Sequence, residues 1–127
     1  MTQDHTITLG EGVHAPAHAR AWVSRHAVGL SPNLVDDALL LVSELVTNAV
    51  RHGRGDVELS VRVGADRLRI AVSDRGPEMP IVPDGRPSID RPSGRGLLIV
   101  AATATDWGVT PLQPPPGKTV WADLTQR

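Results

Sequence analysis

Glu44 and Asn48 stand four residues apart in the run Ser43-Glu44-Leu45-Val46-Thr47-Asn48-Ala49-Val50-Arg51-His52. On a helix that spacing makes neighbours of the two side chains, and Arg51 and His52 follow close enough to line the same cleft. A carboxylate there can orient or deprotonate an attacking hydroxyl, and an amide oxygen is a hard ligand suited to Mg²⁺ held between phosphates. Phosphoryl transfer uses both roles. Taken alone, the run reads first as the solvated face of an amphipathic helix, so its meaning depends on what else the chain brings to it.

Ser73-Asp74-Arg75-Gly76 and Ser93-Gly94-Arg95-Gly96-Leu97 supply the remaining chemistry. Leu68, Ile70 and Val72 alternate with polar residues, and the same period of two puts Asp74 on their side, pointing inward where the strand stops. An inward carboxylate can accept a hydrogen bond from an adenine amino group, and Gly76 allows backbone to approach the ring. A lone Asp-x-Gly is also an ordinary turn. Gly94 and Gly96 precede the apolar run Leu97-Leu98-Ile99-Val100, so backbone amides at a helix start could surround phosphate oxygens. Two other phosphate motifs fail. Ile99 stands where a dinucleotide fingerprint needs its third glycine, and Leu112 where a P-loop ending in Gly117-Lys118-Thr119 needs its first.

The segments SELVTNAVRHG, VSDRGP and SGRGLLIV, followed by Gly117-x-Thr119, resemble in order and spacing the boxes of the histidine-kinase-like ATPase superfamily. Within it they look like the anti-sigma factor serine/threonine kinase branch. The resemblance implies an α+β two-layer sandwich, with helices on one face of a mostly antiparallel sheet and ATP between the layers. It implies Glu44 as base for a substrate hydroxyl, Asn48 as ligand of Mg²⁺, and Asp74 as the reader of adenine. Gly76 would shape that pocket, Gly94, Arg95, Gly96 and Leu97 would close on the phosphates, and Thr119 would support adenine through its hydroxyl. Arg51 and His52 match positions near phosphate and ribose. The implied activity is Mg-ATP-dependent phosphorylation of a serine or threonine on a small antagonist protein, with capture or release of a sigma factor as the outcome. The alternative is a nucleotide-binding adaptor that sequesters a partner without catalysis. Two features depart from the pattern: Pro77-Glu78 follows the Asp-x-Gly where relatives have a further glycine, and Thr119 shares a strand face with Trp121 and Asp123, opposite Val120, Ala122 and Leu124. Period alone leaves open which of those faces meets the helices.

The elements that must position these residues are legible in outline. Ser31-Pro32 reads as N-cap and first helical residue, Asp36 and Asp37 suit the positive end of the dipole, and Gly53 supplies a stop, which predicts a helix over Pro32–His52. Leu34, Ala38, Leu41, Leu45 and Ala49 form its apolar stripe, opposite Asp37, Glu44, Thr47, Asn48 and Arg51. Before it come a strand at His5–Leu9 and a helix at Ala15–Val28, with Pro16 in its first turn and Gly29 at its end. Val57, Leu59, Val61 and Val63 alternate with polar residues, and Gly64-Ala65-Asp66 marks a hairpin into the strand ending at Asp74. Prolines break the chain from Pro77 to Gly94; a short buried helix follows at Gly96–Thr105, then the Pro114–Gly117 break, then a last strand at Thr119–Leu124. Two or three helices therefore cover one face of the sheet in a single domain over residues 1–127.

Composition narrows the function classes. Hydrophobic residues make up 40% of 127 residues, enough for one core, and 13 basic against 14 acidic side chains leave no stripe for direct nucleic-acid binding and no polybasic membrane patch. The only aromatic residues of the Phe, Trp and Tyr types are three tryptophans, Trp22, Trp107 and Trp121, which suit core or interface positions better than a stacking platform. With no cysteine there is neither disulfide framework nor thiolate chemistry, no secretion signal is evident, and no apolar run reaches the ~20 residues needed to span a bilayer. A cytoplasmic, stand-alone regulator is expected, with no phosphoacceptor helix pair or sensor domain ahead of it and a homodimer left open. His14 and His18 have ligand-like spacing, but Pro16 lies between them and no third ligand is evident.

Overall fold

The alternating segments pair as their pattern requires. In the computed structural model, which describes residues 2–10, 12–52, 55–77 and 94–126, the elements run β1 (Gln3–Leu9), α1 (Ala15–His26), α2 (Pro32–His52), β2 (Val57–Val63), β3 (Arg67–Asp74), α3 (Gly94–Thr103), β4 (Asp106–Pro111) and β5 (Lys118–Thr125). The sheet has the order β1-β2-β3-β5-β4, with each neighbouring pair antiparallel. The Gly64 N–H donates to the Arg67 carbonyl at 2.9 Å and closes the β2–β3 hairpin. Leu59 then lies opposite Val72 and Val61 opposite Ile70, while β5 sets Val120, Ala122 and Leu124 against Val72, Ile70 and Leu68. All of these are buried, so this is the face that the helices cover.

Helix α2 rests on that face through the stripe read from its sequence. Leu34, Ala38, Leu41, Leu45 and Ala49 are buried, joined by Val42 and Val46, and α1 adds Ala19, Trp22 and Val23. Each large aliphatic side chain buried in this way contributes roughly 1.5–3 kcal/mol. The helix has a fixed direction across the sheet. Ser31 caps it, its Oγ accepting the Leu34 N–H at 3.3 Å, and the Ser31 N–H donates to Gln126 Oε1 at 3.1 Å. Because the Gln126 N–H in turn donates to the Asp66 carbonyl at 2.7 Å, α2 starts where β3 begins and β5 ends. It finishes where β3 ends and β5 begins.

The observed boundaries shift by a few residues from those expected. Helix α1 stops at His26, Gly29 turning the chain with φ 97°, and α3 starts at Gly94. Strand β4 was not expected from the sequence, because Asp106, Gly108 and Pro111 are poor strand formers. Its Trp107 and Val109 pack half-buried against the core, and Gly108 is needed because a Cβ there would lie 2.7 Å from the Trp121 ring. Gly53 and the interior of the proline-rich segment, 78–93, lie outside the described residues.

The edge strand β1 is held to α1 by an aromatic group. The His5 and His26 rings stack with centroids 4.0 Å apart, and Trp22 tilts against His26 at 4.6 Å. Burial, then the neighbouring His5 and Arg25 charges, push the His26 imidazole below its ordinary pKa of 6.5. The unfolded chain therefore takes up this proton more readily than the folded one, so the contribution to stability is intact above 6.5 and falls as pH drops from there through the folded-state pKa. We expect the urea midpoint to fall less between about pH 7.5 and about pH 5.5 in His26→Phe than in the parent. Equal falls would show that this imidazole does not couple to folding.

Candidate functional site

The direction of α2 carries its last three turns to the end of the sheet where Asp74 sits. There Glu44 and Asn48 are half-buried, His52 is half-buried and Arg51 is exposed. Among the described residues the Glu44 carboxylate has no hydrogen-bond or ion-pair partner. Asn48 Nδ2 is buried with none either. An orphaned buried amide N–H costs roughly 1–3 kcal/mol, a cost that an acceptor on a bound ligand, such as a phosphate oxygen, would offset. The donor set thus fits a metal–nucleotide group: an amide on the helix, a free carboxylate one turn away, and helix-start amides nearby.

Asp74 is 3% exposed and lies on the helix-facing side, where its sequence position predicts it. Its partner there is Lys118, 6% exposed, directly opposite in the β3–β5 register. Lys118 Nζ donates to Asp74 Oδ1 at 2.9 Å and Oδ2 at 3.0 Å, and the Gly76 N–H donates to Oδ1 at 2.8 Å. Gly117 lets β5 begin so close to this pair. It has φ 126°, and a Cβ at that position would lie 2.5 Å from the Asp74 carbonyl oxygen and 2.8 Å from Leu112 Cδ1. Arg75 fastens the same corner by donating from Nη1 to the Pro114 and Pro116 carbonyls at 3.0 and 3.3 Å.

Thr119 falls on the other face. Its hydroxyl meets Ser73 Oγ at 2.6 Å on the side of the sheet away from the helices, so the structure does not bring it together with Asp74. Lys118 takes that place, a residue the sequence reading passed over. The signal was two positions upstream of Val120 in the buried series Val120, Ala122 and Leu124. Gly94 and Gly96 form the first turn of α3, whose far end is fixed where the Thr105 N–H meets the Asp123 carbonyl at 2.8 Å, so the first turn lies toward Asp74. The side chains of Arg95 and Leu97, like Glu78, lie outside the described part of the structure.

Residues 12–123 match the family model of the histidine kinase-like ATPase domain. The chain belongs to the histidine kinase-like ATPase family. Among solved structures, this ATPase-family domain is similar to the RsbU and RsbW domains of Rv1364c from Mycobacterium tuberculosis, with 21% identity and TM-score 0.71 over 97% of the chain and 32% of that one. It is also similar to the histidine kinase domain of the blue-light activated histidine kinase EL346 from Erythrobacter litoralis, with 21% identity and TM-score 0.57 over 87% of the chain and 59% of that one. A third likeness is to the Acinetobacter baumannii histidine kinase AdeS, at 14% identity and TM-score 0.53, covering 97% of the chain and 68% of that one. The ATPase-family domain spans about a third of the first of these structures and about three fifths of the second. No curated protein sequence matches it significantly. Among the described residues no helix is long and apolar enough to cross a membrane.

Among the ion pairs of the described residues, Asp74–Lys118 is the one withdrawn from water. Lys118→Met leaves the Asp74 carboxylate without its cation and should cost about 3–5 kcal/mol in urea unfolding. Adding Asp74→Asn should recover most of that loss. A single variant as stable as the parent would show that the pair is solvated rather than buried.

Proposed function

We propose that this domain is an anti-sigma-factor-type serine/threonine kinase that binds Mg-ATP and phosphorylates a small antagonist protein in the cytoplasm, thereby controlling a sigma factor. The observation that carries the proposal is the Glu44 carboxylate, without a hydrogen-bond or ion-pair partner among the described residues, one helical turn from the orphaned Asn48 amide nitrogen on α2. Membership of the ATPase family supports nucleotide binding, and the likeness to a structure containing an RsbW domain supports a regulatory module.

In this reading Asp74 accepts from the base, Gly76 lets its backbone approach, and the Asn48 amide oxygen holds Mg²⁺. The amides of Gly94 and Gly96 face the phosphates, with Arg95 and Leu97 closing over them and Arg51 and His52 near phosphate and ribose. When bound, Mg-ATP supplies the phosphoryl group and the cation neutralises charge on its oxygens. Glu44 orients the serine or threonine hydroxyl and takes its proton as the new oxygen–phosphorus bond forms and ADP departs. Thr119, on the opposite face, acts only through Ser73 and the strand that carries Lys118.

Glu44→Ala should lower transfer of labelled phosphate to a cognate antagonist by roughly 10²–10⁴-fold, the range for losing a general base. ATP affinity by calorimetry should stay within about threefold of the parent, because a residue that acts in the transition state contributes little to ground-state binding. Transfer that survives Glu44→Ala unchanged would remove the assigned base, and ATP binding with no transfer by the parent would favour the adaptor alternative.

A further inference from the structure

Asp74 does not present a lone carboxylate to the nucleobase. Oδ1 already takes two donors, the Gly76 N–H and Lys118 Nζ, and Oδ2 takes the second contact from Nζ. An ionised carboxylate has about four acceptor sites and an ammonium has three N–H groups. One acceptor position on Oδ2 and one N–H of Lys118 therefore remain, side by side on the helix-facing end of the sheet. Among the described residues no other acceptor is assigned to that N–H.

We infer that Lys118 is a second base-reading residue and that it opens the site to 6-oxopurine nucleotides, GTP and ITP, as well as to ATP. The inference rests on the nucleotide-site reading above. A carboxylate alone can accept the N1–H of a 6-oxopurine but leaves O6 without a donor, and in a buried site such a mismatch goes uncompensated. The ammonium removes it. Adenine is matched by its 6-amino group donating to Asp74 Oδ2 while its N1 accepts from Lys118 Nζ. Hypoxanthine and guanine are matched with the roles exchanged, N1–H donating to Oδ2 and O6 accepting from Nζ. Because both protein groups are almost wholly buried, each match is made out of water, where it discriminates most strongly.

The position of the pair supports this role over a merely structural one. A cation serving only to hold two strands together would do so equally well on the outer face, as Arg69 does with Asp123 at 2.6 and 2.9 Å. Lys118 instead lies on the face that α2 covers, opposite Asp74 at the end of β3. Among the described residues no backbone carbonyl accepts the remaining ammonium hydrogen.

The test is calorimetric titration of the parent with ATP, GTP, ITP and UTP, each with excess Mg²⁺. ATP, GTP and ITP should bind within about tenfold of one another, and UTP, whose pyrimidine is too short to reach the pair, at least about tenfold more weakly than any of them. In Lys118→Met, GTP and ITP should lose at least about a hundredfold relative to ATP, while Lys118→Arg, which keeps the cation, should retain the parent's pattern. GTP and ITP binding a hundredfold or more below ATP in the parent would overturn the inference and leave the ATP reading standing. Equal binding of UTP would overturn it by showing that the base is not read. Failure of all four to bind would overturn both readings. The parent comparison requires no variant to fold.

Discussion

A 21-residue helix can bury Leu34, Ala38, Leu41, Leu45 and Ala49 together in only one rotational setting, and that setting decides what the rest of the molecule presents. With the apolar stripe turned onto β3 and β5, Glu44 and Asn48 are left half-buried beside it. The cap at Ser31 and its tie to Gln126 add polarity in the directional sense: they decide which end of the helix meets Asp74. Hydrophobic burial thus supplies the energy for docking, while a few hydrogen bonds select the orientation. The polar residues of the site contribute little to that choice and are placed by it.

The two faces of the sheet solve different problems with similar residues. On the outer face Arg69 makes a two-point contact with Asp123 and lies 4.5 Å from the centre of the Trp121 ring, which itself covers Gly108. Its hydrogen bond to Asp123 holds the guanidinium protonated beyond its ordinary range. Such a group keeps contact with water and contributes modestly. On the inner face, the same opposite-charge pairing between Asp74 and Lys118 is withdrawn from solvent, where each charge depends on the other. A carboxylate that needs a cation to be buried is sharply defined in position.

The sequence shows some of this and hides the rest for identifiable reasons. Helix α2 and the inward turn of Asp74 were legible because apolar periodicity over many residues leaves a single phase. Strand β4 was hidden because its pairing depends on Gly108 fitting beneath Trp121, a contact between distant segments that local propensity does not encode. Lys118 was hidden by its own chemistry. A lysine at the head of a strand reads as a solvated end, and a period of two lets a polar residue sit on either side with equal plausibility. Once β5 pairs with β3, that freedom vanishes and neighbours in sequence part company, Thr119 to the outer face and Lys118 to the inner.

Asp74 and Lys118 are separated by 44 positions, so the central strand pair of the sheet closes the long excursion through α3 and β4. During synthesis, β1 through β3 and both long helices can emerge and begin to associate while the ribosome has yet to reach Lys118. Until it does, the end of β3 holds a carboxylate with no counter-charge, and the site cannot dry out around it. The Asp74–Lys118 corner is therefore among the later parts of this domain to mature, and its completion requires that β5 has emerged.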